Sequence, residues 1–128
     1  MALEITQHEA NGICILALKG RLVLGQESGG YRATVMKLLS SGSKRIVIDL
    51  EHAHYIDSAG LGALIETHRT TKERGGRLAL CSLGPNFRRA LEIAKLLPIF
   101  ETFPNQDAAV QSFDGSSSKA AASGGKSV

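Results

Sequence analysis

The chain has 128 residues, which favours a single domain, and its 43% apolar content suffices for one core without disulfides or a structural metal. The net charge of +3 suggests nucleic acid, but the basic residues are interleaved with acidic ones and aromatic residues are few, so we expect no nucleic-acid partner. No apolar run approaches the roughly 18 residues that span a bilayer, and residues 1–4 lack the basic segment and apolar run that are typical of a signal peptide. We therefore expect a cytoplasmic protein with no membrane partner.

The first part of the chain predicts a hairpin followed by a helix. Residues 3–9 alternate weakly, as in an edge strand, and Asn11-Gly12 is a strong hairpin turn signal. Residues 13–18 are almost continuously apolar, which is typical of a strand buried on both faces. A helix is predicted from about Gln26 to Ser40. Its apolar positions, at helical spacing, are Tyr31, Val35, Leu38 and Leu39.

The middle of the chain predicts a strand, a loop and a second helix. Residues 45–50 form an apolar strand, and the polar residues 51–54 predict a connecting loop. The helix begins near Ser58 and ends before Gly75-Gly76, because glycine accepts the positive φ of a helix C-terminus. Its predicted inner positions are Leu61, Leu64, Ile65 and His68.

The remaining elements complete an α/β pattern. Residues 77–82 predict a strand, Pro85 begins a third helix, and a short extended segment precedes a last helix that ends near Phe113. Because parallel strands need crossover helices, this order predicts a mostly parallel sheet of four to five strands, with an antiparallel edge strand and about four helices. We expect one domain over residues 1–113 and a disordered tail rich in Gly, Ser and Ala over residues 114–128.

The cysteines and histidines predict no metal or cofactor site. Cys14 and Cys81 lie in apolar strand-like runs, so we expect two buried, reduced thiols. His52 and His54 lack a matching third ligand and are expected on the surface of a loop. The sequence has no glycine motif with the spacing that cradles phosphates, so no nucleotide cofactor is expected.

The Asp57-Ser58 pair lies at the predicted start of the second helix. Either side chain is suited to capping a first turn, and capping is the simpler interpretation. Gly60 and Gly62 follow at once, although each glycine lowers helix stability by about 1 kcal/mol relative to alanine. Such a sequence indicates that something approaches the backbone closely. A neighbouring strand and a partner protein are both possible.

Residues 56–60 also lie close to the G-x-S-x-G motif of serine hydrolases, which occupies a strand-to-helix turn. Ile56 stands where the first glycine should be, and its bulk obstructs the tight turn. None of the four histidines is placed by the sequence to activate Ser58. A hydrolase is thus an alternative with little support, and we expect no enzyme.

Residues 55–62 read Tyr-Ile-Asp-Ser-Ala-Gly-Leu-Gly, which resembles the signature of the STAS domain. More narrowly, the stretch resembles bacterial anti-sigma factor antagonists, and the likeness extends over about residues 3–113. It implies a small α/β sandwich. It also implies that a cognate anti-sigma factor serine kinase phosphorylates Ser58, that the unmodified protein binds this kinase and frees the sigma factor, and that a serine phosphatase resets the switch.

The partner-binding residues that the resemblance implies surround this serine: Asp57, Ser58, Ala59, Gly60, Leu61 and Gly62. A phosphoserine adds about −1.5 to −2 charges at pH 7, and a helix N-terminus accommodates an anion. The modification would therefore act on the interface and leave the fold intact. The alternative is a STAS adaptor subunit of a larger regulatory or transport assembly, in which Ser58 only caps the helix and does not switch.

Overall fold

The structure, a computed structural model, describes residues 3–115 as one five-stranded sheet with helices on both faces. The strands are arranged in chain order; the first pair is antiparallel and the other neighbours are parallel. The predicted α/β class is confirmed. The elements are β1 Glu4–Ala10, β2 Ile13–Leu22, α1 Gln26–Ser40, β3 Arg45–Ile56, α2 Ser58–Glu73, β4 Arg77–Cys81, α3 Pro85–Ile93, β5 Glu101–Phe103 and α4 Gln106–Gly115, with a single 3-10 turn at Leu97–Ile99.

Side-chain alternation along the strands divides the interior into two cores of unequal size. In β2, Leu16 and Leu18 point to one face of the sheet, whereas Ile13 and Ile15 point to the other. The larger core lies beneath α1, α2 and α3, and it includes all four predicted apolar positions of α1. The smaller core lies beneath α4 and ends at Phe113.

The predicted boundary between domain and tail, after residue 113, falls inside α4. This helix continues to Gly115, two residues past the predicted domain limit. The rest of the predicted tail, residues 116–128, lies outside the described residues. Among residues 3–115, no helix is both long and apolar enough to cross a membrane.

The third strand is longer than predicted, which corrects the interpretation of residues 51–54 as a loop. β3 runs unbroken to Ile56 because β2 is equally extended and supplies backbone partners, pairing Lys19 with His52 and Leu22 with Ile56. The pairing shifts register twice in this part of the two strands. Only Ala53 and Ile56 are buried beyond Leu50, so the polar composition reflects exposure of the strand to solvent rather than a break in it.

The buried face of α2 is rotated from the predicted one. Of the predicted inner positions only Leu64 is buried, and the others are partly exposed. Thr67 and Thr71 are fully buried instead, with their hydroxyl groups satisfied: Thr71 donates to the Thr67 carbonyl at 2.7 Å. The buried positions of the helix are Gly60, Ala63, Leu64, Thr67 and Thr71. These mostly small residues allow the helix to lie close to the sheet and to α1.

The end of α2 follows the prediction. The helix stops at Glu73, and Gly75 has a φ of +82°. Gly76 then passes close to β3, where a Cβ would lie 2.5 Å from the Lys44 carbonyl oxygen. Cys14 and Cys81 are both buried free thiols, as predicted, and burial raises the pKa of Cys81 to about 12.

Candidate functional site

The candidate site lies where β2 and β3 end side by side and lead into α1 and α2. The carboxyl ends of parallel strands are the usual location of binding sites in α/β folds. Here Leu22 and Ile56 are the last paired residues, and the Asp57 N–H donates to the Leu22 carbonyl at 3.4 Å. The two loops are therefore joined at the point where the Asp57-Ser58 pair begins α2.

Asp57 connects the start of α2 to the loop after β2. It is the N-cap residue: one carboxylate oxygen accepts the Gly60 N–H at 2.9 Å, and the other accepts the Leu24 N–H at 3.1 Å. These bonds stabilise the ionised form of Asp57 and lower the pKa of its carboxyl group below the usual value. The bond from the Gly60 N–H is the largest cause, and the bond from the Leu24 N–H adds to it. A single anionic side chain thus stabilises both loops.

Ser58 is the first helical residue of α2 and is exposed. Of the two capping candidates, only Asp57 caps the helix. Within the described chain, the Ser58 hydroxyl makes no hydrogen bond to another residue. The hydroxyl is therefore available to solvent at the positive end of a helix, where an anion is well accommodated.

The two glycines after Ser58 have different surroundings. A Cβ on Gly60 would lie 2.1 Å from the Leu22 carbonyl oxygen and 2.8 Å from the Ile56 side chain. A Cβ on Gly62 would meet nothing within 4 Å. The sequence left open whether a neighbouring strand or a partner protein approaches these glycines closely. At Gly60 it is the neighbouring strand.

The six residues assigned to the partner surface are not equally accessible. Ser58 is exposed, and Gly60 is buried, so Gly60 itself presents no surface to a partner. Its side-chain-free backbone serves the packing of α2 against the end of β2. The remaining four are partly exposed, namely Asp57, Ala59, Leu61 and Gly62. Leu61 also packs against the larger core.

The sequence reasoning missed Leu24, which lies beside this site. Leu24 is 76% exposed, although its backbone N–H is held by Asp57. The preceding residue, Val23, is also held in place. Its carbonyl accepts hydrogen bonds from the Ser28 N–H, at 3.0 Å, and from the Ser28 hydroxyl, at 2.5 Å. The sequence did contain a signal for Leu24, because it is an apolar residue immediately before Gly25 and Gln26, where α1 starts.

The histidines do not form a second site with Ser58. His52 and His54 are exposed on the outer half of β3, and His68 lies edge-on to Phe100 with ring centroids 5.1 Å apart. In the part of the chain that the structure describes, no three side chains of His, Cys, Asp or Glu come together in a way that would hold a metal ion.

Comparison with known proteins gives the family. The STAS domain family matches residues 4–109, and the chain belongs to this family. BtrV of Bordetella bronchiseptica, provisionally named an anti-sigma factor antagonist, is 30% identical over 87% of this chain and 95% of its own length. The anti-sigma F factor antagonist of Paenibacillus polymyxa is 26% identical over 83% of this chain and 91% of its own.

A solved structure gives the same fold. A Thermotoga maritima protein, provisionally described as an anti-sigma factor antagonist, superposes with a TM-score of 0.79 at 21% identity, over 84% of this chain and 92% of that one. Within the STAS family, the chain is thus similar to proteins named anti-sigma factor antagonists. The sandwich that the sequence predicted is the fold of this family.

Proposed function

We propose that this protein is an anti-sigma factor antagonist whose binding is controlled by phosphorylation of Ser58. In its unmodified form it binds an anti-sigma factor serine kinase in the cytoplasm, and the sigma factor is released. The kinase then phosphorylates Ser58 and the complex dissociates, and a serine phosphatase restores the binding form. The observation that carries this proposal is an exposed, unbonded hydroxyl at the first position of α2, in a chain that belongs to the STAS family.

The geometry supports a switch that acts at a surface. A phosphate on Ser58 would add about −1.5 to −2 charges next to the ionised Asp57, and the N-terminal end of α2 would tolerate that charge. A partner that packs against a neutral hydroxyl would have to desolvate a dianion. A loss of about 3 to 4 kcal/mol in binding free energy corresponds to a few hundredfold in affinity. The fold need not change for the complex to dissociate.

The first experiment tests whether Ser58 is the phosphate acceptor. The purified chain is incubated with each anti-sigma factor serine kinase of its genome and ATP, and incorporated phosphate is located by mass spectrometry. We expect one phosphate on the wild type and none on Ser58→Ala. Ser40→Ala is the matched control, because Ser40 is also exposed on a helix but lies at the far end of α1. Phosphate that persists on Ser58→Ala would contradict the assignment.

The adaptor alternative has the same fold and differs in its response to charge. An adaptor that does not switch would bind its partner equally well as the wild type and as Ser58→Asp. The proposed switch predicts that Ser58→Asp weakens kinase binding at least tenfold, while its thermal unfolding stays close to that of the wild type. Equal affinities of the two proteins would favour the adaptor.

A further inference from the structure

We propose that Leu24 is the apolar anchor of the docking surface, and that Asp57 is the positioning residue that holds this anchor beside Ser58. The proposal rests on the proposed function and adds the chemistry of the contact. The occupant is the anti-sigma factor serine kinase, which would present an apolar pocket for Leu24 next to the surface that receives the Ser58 hydroxyl.

The first observation is that Leu24 is an exposed apolar residue on a rigid loop. Leu24 is 76% exposed, more than any other large hydrophobic residue in the described part of the chain. Its neighbour Val23 is fixed to α1 by two bonds from Ser28, and Leu24 itself is fixed by Asp57. Because these bonds hold the backbone of the loop, binding through Leu24 costs little backbone conformational entropy, which suits an interface anchor.

The second observation is that the loop carrying Leu24 and the first turn of α2 form one unit. The Asp57 N–H bonds the Leu22 carbonyl, the Asp57 carboxylate accepts the Leu24 N–H, and Gly60 packs against the Leu22 carbonyl. All three links connect the segment 22–24 to residues 57–60. The exposed hydroxyl and the exposed leucine are therefore presented together in a fixed relation.

The apolar content of the site also fits a protein partner. Within residues 57–62, Leu61 is partly exposed, and a Cβ on Gly62 would meet nothing within 4 Å. Burying an exposed leucine in a pocket is worth about ten- to a hundredfold in affinity. The anchor supplies this affinity, and the neighbouring serine supplies the sensitivity to charge.

The test measures the dissociation constant of the kinase complex by calorimetry for the wild type, Leu24→Ala and Ile93→Ala. Ile93 is the matched control: it is 72% exposed, but it ends α3, about 12 Å along that helix from its start near the strand ends. We expect Leu24→Ala to weaken binding by ten- to a hundredfold and Ile93→Ala to change it less than twofold. Thermal unfolding verifies that both variants are folded.

Asp57→Asn tests the positioning role. Asparagine is also a good N-cap and can still accept the Gly60 N–H, but its amide NH₂ cannot accept the Leu24 N–H. We expect hydrogen exchange of the Leu24 amide to accelerate at least tenfold while Gly60 stays protected, and kinase binding to weaken about tenfold. In the Leu24→Ala background the same change should have little further effect, because Asp57 acts through Leu24.

The outcomes separate this proposal from the proposed function. If Ser58→Asp abolishes binding but Leu24→Ala binds like the wild type, the anchor is refuted and the switch stands. If Leu24→Ala lowers only self-association in sedimentation, the patch binds a second copy of the chain, and the proposal is wrong. An equal effect of Asp57→Asn in both backgrounds would mean that Asp57 does not act through Leu24. If no kinase binds the wild type, both proposals fail.

Discussion

The inner and outer sides of the first turn of α2 have opposite surroundings. On the inner side, Gly60 lies against the backbone of β2 with no space for even one carbon atom. On the outer side, the side chain of Ser58 and the open space above Gly62 face solvent. Gly60 and Gly62 are only two residues apart. From the sequence alone, each glycine is expected to lower the stability of the helix by the same amount.

The difference shows that one residue type serves two purposes in a single turn. Gly60 allows α2 to start close to the end of β2, which in turn lets Asp57 bond to both loops. Gly62 keeps the outward surface free of bulk. The inner side therefore determines whether the turn forms, and the outer side, in the proposed function, determines what the turn binds.

The largest expected effect is that of Gly60→Ala. The new Cβ would lie 2.1 Å from the Leu22 carbonyl oxygen, a backbone atom inside a paired strand end, so that the helix or the strand has to move. We expect the free energy of unfolding to fall by about 3 kcal/mol or more, by analogy with severe overpacking. Urea denaturation followed by circular dichroism measures it. A loss below about 1 kcal/mol would show that the approach at Gly60 is not tight.

The second effect tests the inner side of α2 two turns further on. The Tyr31 hydroxyl lies 2.8 Å from that of Thr67, and Thr67 also bonds to the Ala63 carbonyl at 2.9 Å. Thr67→Val leaves the buried Tyr31 hydroxyl without its partner, with an expected loss of about 1 to 3 kcal/mol. In Tyr31→Phe, Thr67 keeps its bond to Ala63, so we expect the smaller loss of about 0.5 to 1.5 kcal/mol.

Equilibrium unfolding of both variants in urea gives the two losses under the same conditions. The order of the losses is the test, since both variants remove the same hydrogen bond. A larger loss for Tyr31→Phe would contradict the argument, because it would mean that removing the Tyr31 hydroxyl costs more than leaving it buried without the Thr67 partner.

The sequence predicted the order and the type of the elements because most of them have a strong local signal. The α1 face of Tyr31, Val35, Leu38 and Leu39 repeats at helical spacing, and all four residues are buried. Likewise, Gly75 ends α2 as predicted. These features depend on residues that are close in the chain, so periodicity and turn chemistry suffice to find them.

What the sequence missed depends on contacts between distant residues. The second half of β3 is a strand because β2 pairs with it, whatever its polar composition. Thr67 is buried because Tyr31, 36 residues away, supplies a partner for its hydroxyl. Gly60 could be distinguished from Gly62 only with Leu22 in place, and Leu24 gains its significance only from the Asp57 carboxylate.

The smallest expected change in stability belongs to Gly62→Ala, and it has the opposite sign. Because a Cβ here meets nothing within 4 Å, alanine should raise the free energy of unfolding by about 0.5 to 1 kcal/mol through helix propensity alone. The same methyl group would project from the proposed docking surface, so we expect kinase affinity to fall about tenfold, or about 1.4 kcal/mol. Urea denaturation and calorimetry on the same sample give both values. A more stable protein with unchanged affinity would place Gly62 outside the interface and confine docking to the side of the turn that carries Ser58 and Leu24.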